Sequence, residues 1–129
     1  MIRRLALSVC FALTLAASAA AHHNMSALFD FSQRFTSTGT LTKVDWRNPH
    51  IYVFVDVKNE KGVVEAWSFE GPSPGFFRMR DVGKENFESS MQKSIKVEAS
   101  RARDGSHSGL IREIALADGK LVSACPQNC

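Results

Sequence analysis

The chain has 129 residues, of which 44% are hydrophobic and 22% charged, and its formal net charge is +3. This length is typical of a single domain with one hydrophobic core. Basic and acidic residues are interspersed along the chain, and the basic stripe of a nucleic-acid-binding protein is missing. We therefore expect no nucleic acid among its partners.

Residues 1–21 have the pattern of a secretory signal peptide. Arg3 and Arg4 precede an apolar run at residues 5–17, and small residues at 17–21 offer A-x-A cleavage sites. The apolar run is too short for a membrane-spanning helix of about 20 residues. The sequence predicts that residues 1–21 are removed, which lowers the net charge to about +1 because two arginines are lost. It also predicts a periplasmic or secreted protein without a membrane anchor.

The first strand of the mature chain is predicted to begin at residue 36. Residues 36–46 are rich in threonine and apolar residues, and Gly39 is a candidate bulge or kink. Pro49 ends this strand because it has no N–H to donate to a sheet. The predicted organisation is an N-terminal arm, one β domain and a cysteine-containing tail, at residues 22–35, 36–124 and 125–129.

A β-hairpin is predicted next. Branched apolar residues recur at every second position of residues 51–57, which indicates a strand. Its other face carries Tyr52 and Phe54, so both faces are expected to be covered near its start. Residues 59–62 have the length and composition of a hairpin loop. Residues 63–70 then return as a strand with three residues expected to point inward: Val63, Trp67 and Phe69.

A short helix is predicted after the hairpin. Ser73 has the composition of an N-cap, Pro74 is suited to the first helical position, and Gly83 is expected to end the helix. Residues 86–91 are expected to form a second short helix or a turn. The remaining predicted strands cover residues 94–100, 110–116 and 120–123, with a loop at 104–109 and a tight turn at Asp118-Gly119.

This order of elements favours an all-β fold with one short helix. Three strands, a helix and two or three further strands suit a small antiparallel barrel that resembles an OB-fold. Closure of the barrel would remove the sheet edges that such apolar strands otherwise expose. The alternative is a small open β-sandwich.

A set of short motifs extends through nearly the whole mature chain. They are His22-His23, Phe29-Asp30, the W-x-N-P-H stretch at Trp46 to His50, Trp67-x-Phe69-Glu70, and Leu116 to Gly119. Through these motifs the chain resembles a widespread family of small exported bacterial proteins whose function is unknown. The resemblance implies an exported, compact β domain, and it implies no activity, substrate or cofactor.

The histidines beside the predicted cleavage site are candidate metal ligands. Cleavage after Ala21 would expose an α-amine that can chelate a metal together with Nδ1 of His22, and His23 would add an imidazole or amide nitrogen. Cleavage after Ala20 would place His23 third, which suits square-planar nitrogen ligation. This geometry favours Cu(II) or Ni(II), and copper has the highest affinity in the divalent series.

His50 is the predicted third ligand, because Pro49 fixes its backbone at the end of a strand. Asp30 or Glu70 would act as an oxygen ligand or would orient a histidine ring. His107 lies in a predicted loop and is a weaker candidate. The alternative is that these histidines bind no metal in the cell, since chain termini are often poorly ordered.

A second candidate site is an aromatic face made of Trp46, Tyr52 and Phe54. On an OB-like barrel, residues in this region stack against ligands, so this face is predicted to bind a small ligand or an envelope protein. Catalytic motifs such as a nucleophile elbow or a phosphate loop are missing from the sequence. We therefore expect a binding module, either for copper or as a metal-free adaptor, and not an enzyme.

Two cysteines are expected to remain in the mature chain, Cys125 and Cys129. An even pair in an oxidising compartment predicts a local disulfide bond. This bond would close a very short loop and would therefore restrict the tail more than it stabilises the fold.

Overall fold

The computed structural model describes residues 25–125. The predicted leader, His22, His23 and Cys129 lie outside this range. From Phe29 to Ser123 the elements are β1 (Phe29–Asp45), β2 (Tyr52–Lys58), β3 (Val64–Glu70), α1 (Pro74–Arg78), α2 (Lys84–Glu88), β4 (Ser94–Ala102), β5 (Ser108–Ala115) and β6 (Leu121–Ser123). Residues 25–28 form a short helical segment directly before β1. Within the described range, no helix is both long enough and apolar enough to cross a membrane.

The first five strands form a closed ring of pairings. β1 pairs with β2 and β4, β2 with β3, and β4 with β5, all in antiparallel orientation. A parallel pairing of β3 with β5 closes the ring, and β6 extends the sheet beyond β5. The expectation of a small, mainly antiparallel all-β fold is confirmed. The β3–β5 pairing joins the strands into one sheet and not into the two separate layers of an open sandwich.

Strand β1 begins seven residues earlier than predicted and contacts two neighbours. Its first part pairs with β4 and its last part with β2. Residues 31–33 form a bulge opposite β4, and this interruption hides the strand from a search for period-two alternation. Gly39 lies where β1 passes close to β2, because a Cβ there would stand 2.3 Å from the carbonyl oxygen of Asp56.

The helical region consists of two short helices. The sequence predicts a first helix ending at Gly83 and a second short helix or turn at residues 86–91, and the second helix lies at Lys84–Glu88. The Ser73 hydroxyl accepts a hydrogen bond from the Phe76 N–H at 3.2 Å and Pro74 occupies the first turn, as expected. The first helix ends at Arg78. Gly83 instead precedes the second helix, where its N–H donates to the Asn86 side chain at 2.8 Å.

The core lies inside the ring and is completed by the helices. Phe77 and Phe87, one from each helix, are fully buried together with Phe69 of β3. On β4 the alternating residues Ile95, Val97 and Ala99 are buried. Val63 is 56% exposed, contrary to the prediction, because it belongs to the hairpin loop and β3 begins only at the next residue.

Candidate functional site

A row of polar side chains crosses three strands where β1 ends, β2 begins and β3 ends. Asp45 pairs with Tyr52, and Tyr52 pairs with Glu70. Residues that are directly opposite in a sheet point to the same face. His50 lies two residues before β2, in the loop that follows β1, and the Asn48–Pro49 peptide bond in this loop is cis.

His50 and Glu70 form the closest polar contact of this region. His50 Nδ1 lies 2.5 Å from Glu70 Oε1, and the exposed fractions of the two side chains are 38% and 12%. Two backbone hydrogen bonds hold the loop beside the end of β3: Ile51 N–H donates to the Pro72 carbonyl at 3.2 Å, and Gly71 N–H donates to the Ile51 carbonyl at 2.9 Å. The fold therefore places an imidazole directly against a largely buried carboxylate.

Tyr52 is the second partner of the same carboxylate. Tyr52 is directly opposite Glu70 on the neighbouring strand, and the pKa of its phenol is raised mainly by burial and then by the negative charge of Glu70. An ion pair of Arg47 with Asp45, at 3.1 Å, flanks this pair, and the positive charge of Arg47 partly opposes the rise in the pKa of Tyr52. Glu70 thus faces two donor groups from β2 and the loop before it.

This arrangement determines which atom of His50 is left for a ligand. When Nδ1–H donates to a carboxylate, Nε2 carries the lone pair. A carboxylate behind the imidazole is also the common way in which proteins orient a metal-binding histidine.

Asp30 does not join this cluster. It lies at the start of β1, where its carboxylate accepts hydrogen bonds from the N–H and hydroxyl of Ser32 at 3.0 and 2.7 Å and lies 3.5 Å from Arg103. These hydrogen bonds, with a smaller contribution from Arg103, lower the pKa of Asp30.

His107 occupies a separate cluster on the loop between β4 and β5. Its ring stacks on Trp67 with centroids 4.9 Å apart, and its Nε2 lies 3.6 Å from the carboxylate of Glu65. Glu65 also accepts a hydrogen bond from the Asn59 side chain at 2.7 Å, which is the largest cause of its lowered pKa. Because His107 pairs with Glu65 and not with the row at Glu70, the structure does not bring it together with His50.

The three aromatic residues of the predicted ligand face are divided between two environments. Trp46 packs into the core, with ring centroids 5.8 Å from Phe77 and 5.3 Å from Phe87. Tyr52 and Phe54 alternate along β2 with buried valines and face outward. Phe54 lies under the Lys43 ammonium, at 5.1 Å, and lines a shallow depression of about 430 Å³ on the outer surface.

Among residues 25–125, no three His, Cys, Asp or Glu side chains are close enough together to hold a metal ion. A metal bound at His50 would therefore need ligands from elsewhere, and the predicted ligands His22 and His23 lie outside the described residues. Cys125 is disulfide-bonded. Its predicted partner, Cys129, also lies outside the described range.

Comparison with known families places the chain in one of them. The model of a family described as "Family of unknown function (DUF6152)" matches residues 11–112. The chain belongs to the DUF6152 family. Neither the curated proteins nor the solved structures give a significant match. The DUF6152 match includes His50, Tyr52 and Glu70, so the polar cluster lies within the region that defines the family.

Sequence reasoning identified His50 and Glu70 as candidates but assigned Tyr52 a different role. It placed Tyr52 on an aromatic ligand face, and in this DUF6152 protein Tyr52 is also paired with Glu70, the partner of His50. The pairing of Asp45 with Arg47 was also missed. The signal for the Tyr52–Glu70 contact is the register of the hairpin, which places these two residues opposite each other.

Proposed function

We propose that this protein is an exported copper-binding module. In this proposal the amine and imidazole nitrogens of the processed N-terminus, from His22 and His23, bind one Cu(II) ion together with His50. The observation that supports it is the hydrogen bond of His50 Nδ1 to Glu70, which directs the imidazole and leaves Nε2 for the ion.

The donor atoms favour copper over hard cations. Imidazole and amine nitrogens suit copper, nickel and zinc, whereas magnesium and calcium prefer oxygen ligands. In this proposal Glu70 stands behind His50 and does not contact the ion, because its carboxylate is only 12% exposed and already faces His50 and Tyr52. Removing such a supporting carboxylate typically lowers metal affinity about 10- to 100-fold.

The distance between the start of β1 and the His50–Glu70 pair supports a site shared with the N-terminus. Phe29 pairs with Ala102, and extending the β4–β5 register one position beyond its last pair leads to Ser108, which pairs with Ser68, two residues from Glu70. With strands about 4.8 Å apart and about 3.3 Å per residue, the path from Phe29 to Glu70 is roughly 16 Å along the surface.

The chain before Phe29 is long enough for this path. Residues 25–28 are helical and advance about 1.5 Å each, and the three residues from His22 to Asn24 can add about 3.4 Å each. The total is roughly 16 Å, which equals the distance to be covered, and the imidazole side chains extend the reach further. Chain length therefore permits a site shared by the N-terminus and His50.

The test is a Cu(II) titration of the exported, processed protein, followed by electron paramagnetic resonance. We expect tight one-to-one binding that is lost when one residue is added ahead of His22 and is weakened at least about tenfold by His50→Ala. His107→Ala is the matched control, because this histidine is also partly exposed, at 49%, and also lies beside a glutamate. It should leave the affinity unchanged.

Two results would contradict this function. One is an N-terminus that is blocked or trimmed beyond His23 in the exported protein. The other is copper binding that is insensitive to His50→Ala, since a flexible peptide would then chelate copper without the folded domain.

A second candidate function is metal-free binding of a small ligand or an envelope protein. It is favoured by the depression beside Phe54, which Ala66 and Lys43 also line. Loss of partner capture by Phe54→Ala, with copper affinity unchanged, would support this adaptor function.

A further inference from the structure

We propose that Arg112 is the centre of an anion-binding site on the outer face of β4 and β5, and that its ligand carries an oxyanion, either a carboxylate or a phosphate group. Arg112 belongs to β5 and its hydrogen-bond partner Ser100 to β4. Neither residue is a ligand in the proposed copper site. The inference therefore goes beyond the proposed function and does not depend on it.

A bulge in β5 sets the side chain of Arg112 against Ser100. The β4–β5 register shifts by one residue beside Ala99, and Arg112 is the residue of β5 that is left without a partner on β4. Bulges of this kind change the direction of a side chain. Arg112 Nη1 donates to the Ser100 hydroxyl at 3.0 Å, and both residues are buried, Arg112 with 4% of its surface exposed. The fold therefore holds a guanidinium group below the surface in a defined orientation.

The chain provides no side-chain carboxylate as a direct partner for this buried charge. The ion pairs among residues 25–125 do not include Arg112, and Glu98 is instead paired with Arg34, with Nη1 and Oε1 3.9 Å apart. Residues 1–24 and 126–129 contain no aspartate or glutamate. Burial of a guanidinium group without a counter-ion is unfavourable. An anion from solution would remove this cost.

The charged neighbours of Arg112 add to its need for an anion. Arg34 is directly opposite Ser100 on β1, so its side chain lies on the same face of the sheet. Burial lowers the pKa of Arg112, and the positive charge of Arg34 lowers it by more than the negative charge of Glu98 raises it. The repulsive neighbour therefore outweighs the attractive one.

The guanidinium group keeps donors that suit an oxyanion. Arginine has five N–H donors in a planar fork, and two parallel donors bind two oxygens of one carboxylate or phosphate. Ser100 occupies Nη1, which leaves Nε and Nη2 as a parallel pair. The ligand reaches this pair past Arg34 and Glu98, whose side chains are long and exposed and can move aside.

The first measurement is a titration of the processed wild-type protein with sodium phosphate at constant ionic strength. The ¹H–¹⁵N signals of the arginine Nε–H groups report on each guanidinium group. We expect a saturable, one-site change at Arg112 and no such change at Arg78, an exposed arginine of α1 that serves as the control. A parallel titration with sodium acetate distinguishes a carboxylate ligand from a phosphate ligand. The absence of a saturable change with both anions would overturn the proposal.

Four variants test the arrangement of the site, with affinity measured as the rise of Tm with anion concentration. Arg112→Lys keeps the charge but loses the fork, and it should lower the affinity at least about tenfold, as expected for one hydrogen bond between charged groups. Ser100→Ala should also lower the affinity, because the guanidinium group is no longer held in place. Glu98→Gln should raise it, because a repelling carboxylate is removed, and Arg78→Lys should not change it.

The titration of the wild type and the Ser100→Ala and Glu98→Gln variants keep the test valid if Arg112→Lys does not fold. Equal anion affinities in the wild type and in these two variants would contradict a site at Arg112. A chain-terminal carboxylate is the alternative occupant, and residues added after Cys129 would remove it from position 129. Anion binding that appears only in the extended protein would overturn the proposal, because the chain itself would then supply the anion.

The outcomes separate this inference from the proposed function. Arg112→Lys should leave the copper affinity unchanged, since Arg112 is not a copper ligand. Anion binding without copper binding would refute the proposed function alone. Copper binding without anion binding would refute this inference alone.

Discussion

Gly39 is the residue at which β1 passes close to β2, and its replacement by alanine tests this approach directly. In most strands alanine is more stable than glycine by about 0.5–1 kcal/mol, because glycine loses more backbone freedom on folding. At Gly39 the added Cβ would stand 2.3 Å from the Asp56 carbonyl oxygen and 2.8 Å from a methyl group of Val55. The oxygen belongs to the backbone of a paired strand, so it cannot move aside like a flexible side chain.

We therefore expect Gly39→Ala to destabilise the protein. Overpacking in a closely packed region costs about 1–3 kcal/mol and occasionally more, and the gain of alanine over glycine offsets only part of this. The net loss should be about 2 kcal/mol, equivalent to a fall in Tm of about 10 °C for a domain of this size. Urea unfolding measures this loss as a lower midpoint at an unchanged slope.

Gly75→Ala is the matched control. Its nearest neighbour for an added Cβ is the Ser73 hydroxyl at 3.7 Å, which is an ordinary contact, and Gly75 lies in α1. This variant should be as stable as the wild type or slightly more so, by up to about 1 kcal/mol. A Gly39→Ala protein that equals or exceeds the wild type in unfolding free energy would refute the close approach of β1 to β2.

Two further predictions concern the aromatic residues and the start of β1. Trp46→Ala should lower the free energy of unfolding by about 3 kcal/mol, because the indole packs on two core phenylalanines. Phe54→Ala should lower it by less than about 1 kcal/mol, because that ring faces outward. Equal losses of unfolding free energy in urea would contradict the different environments of the two rings. Asp30→Asn should flatten the acid limb of the Tm–pH profile. The pKa of Asp30 is lowered in the folded state, so the ionised carboxylate stabilises the fold above about pH 4, and this stabilisation is lost as the pH falls through the pKa of the folded state. An unchanged Tm at acid pH would show that the Ser32 hydrogen bonds do not form in solution.

The parts of the fold that follow from sequence are those with uninterrupted periodicity. On β4, alternation of apolar residues identified both the strand and its buried face. The start of β1 was not predicted, because residues 31–33 form a bulge that breaks the alternation of apolar and polar residues. The bounds of the two helices were not predicted correctly, because Gly83 fits the end of one helix as well as the beginning of the next.

The environment of Trp46 could not be predicted from local pattern. It lies just beyond the end of β1, where no alternation assigns it to a face. Its contacts, Phe77 and Phe87, come from helices that are distant in sequence, and their placement depends on how the chain returns across the ring. Only the tertiary structure shows that this partly buried ring packs on the core.

The pairing of Tyr52 with Glu70, in contrast, follows from the number of residues in the hairpin loop. Directly paired residues point to the same face, so an inward residue of one strand must pair with an inward residue of the other. A four-residue loop at 59–62 would pair Tyr52 with the inward Phe69, which violates this rule. Counting Val63 into the loop shifts the register by one residue and pairs Tyr52 with Glu70, as the structure shows.

The same rule on loop length explains why Val63 is exposed. It also shows how much of the site could be predicted from sequence alone. Val63 is in phase with the inward residues Trp67 and Phe69, but the loop that satisfies parity excludes it from β3 and leaves it 56% exposed. Pattern can thus place a phenol beside a carboxylate. It cannot place His50, because no periodicity governs the loop before β2, and the backbone hydrogen bonds of Ile51 with Pro72 and Gly71 fix that loop. The imidazole–carboxylate contact is therefore a product of tertiary structure.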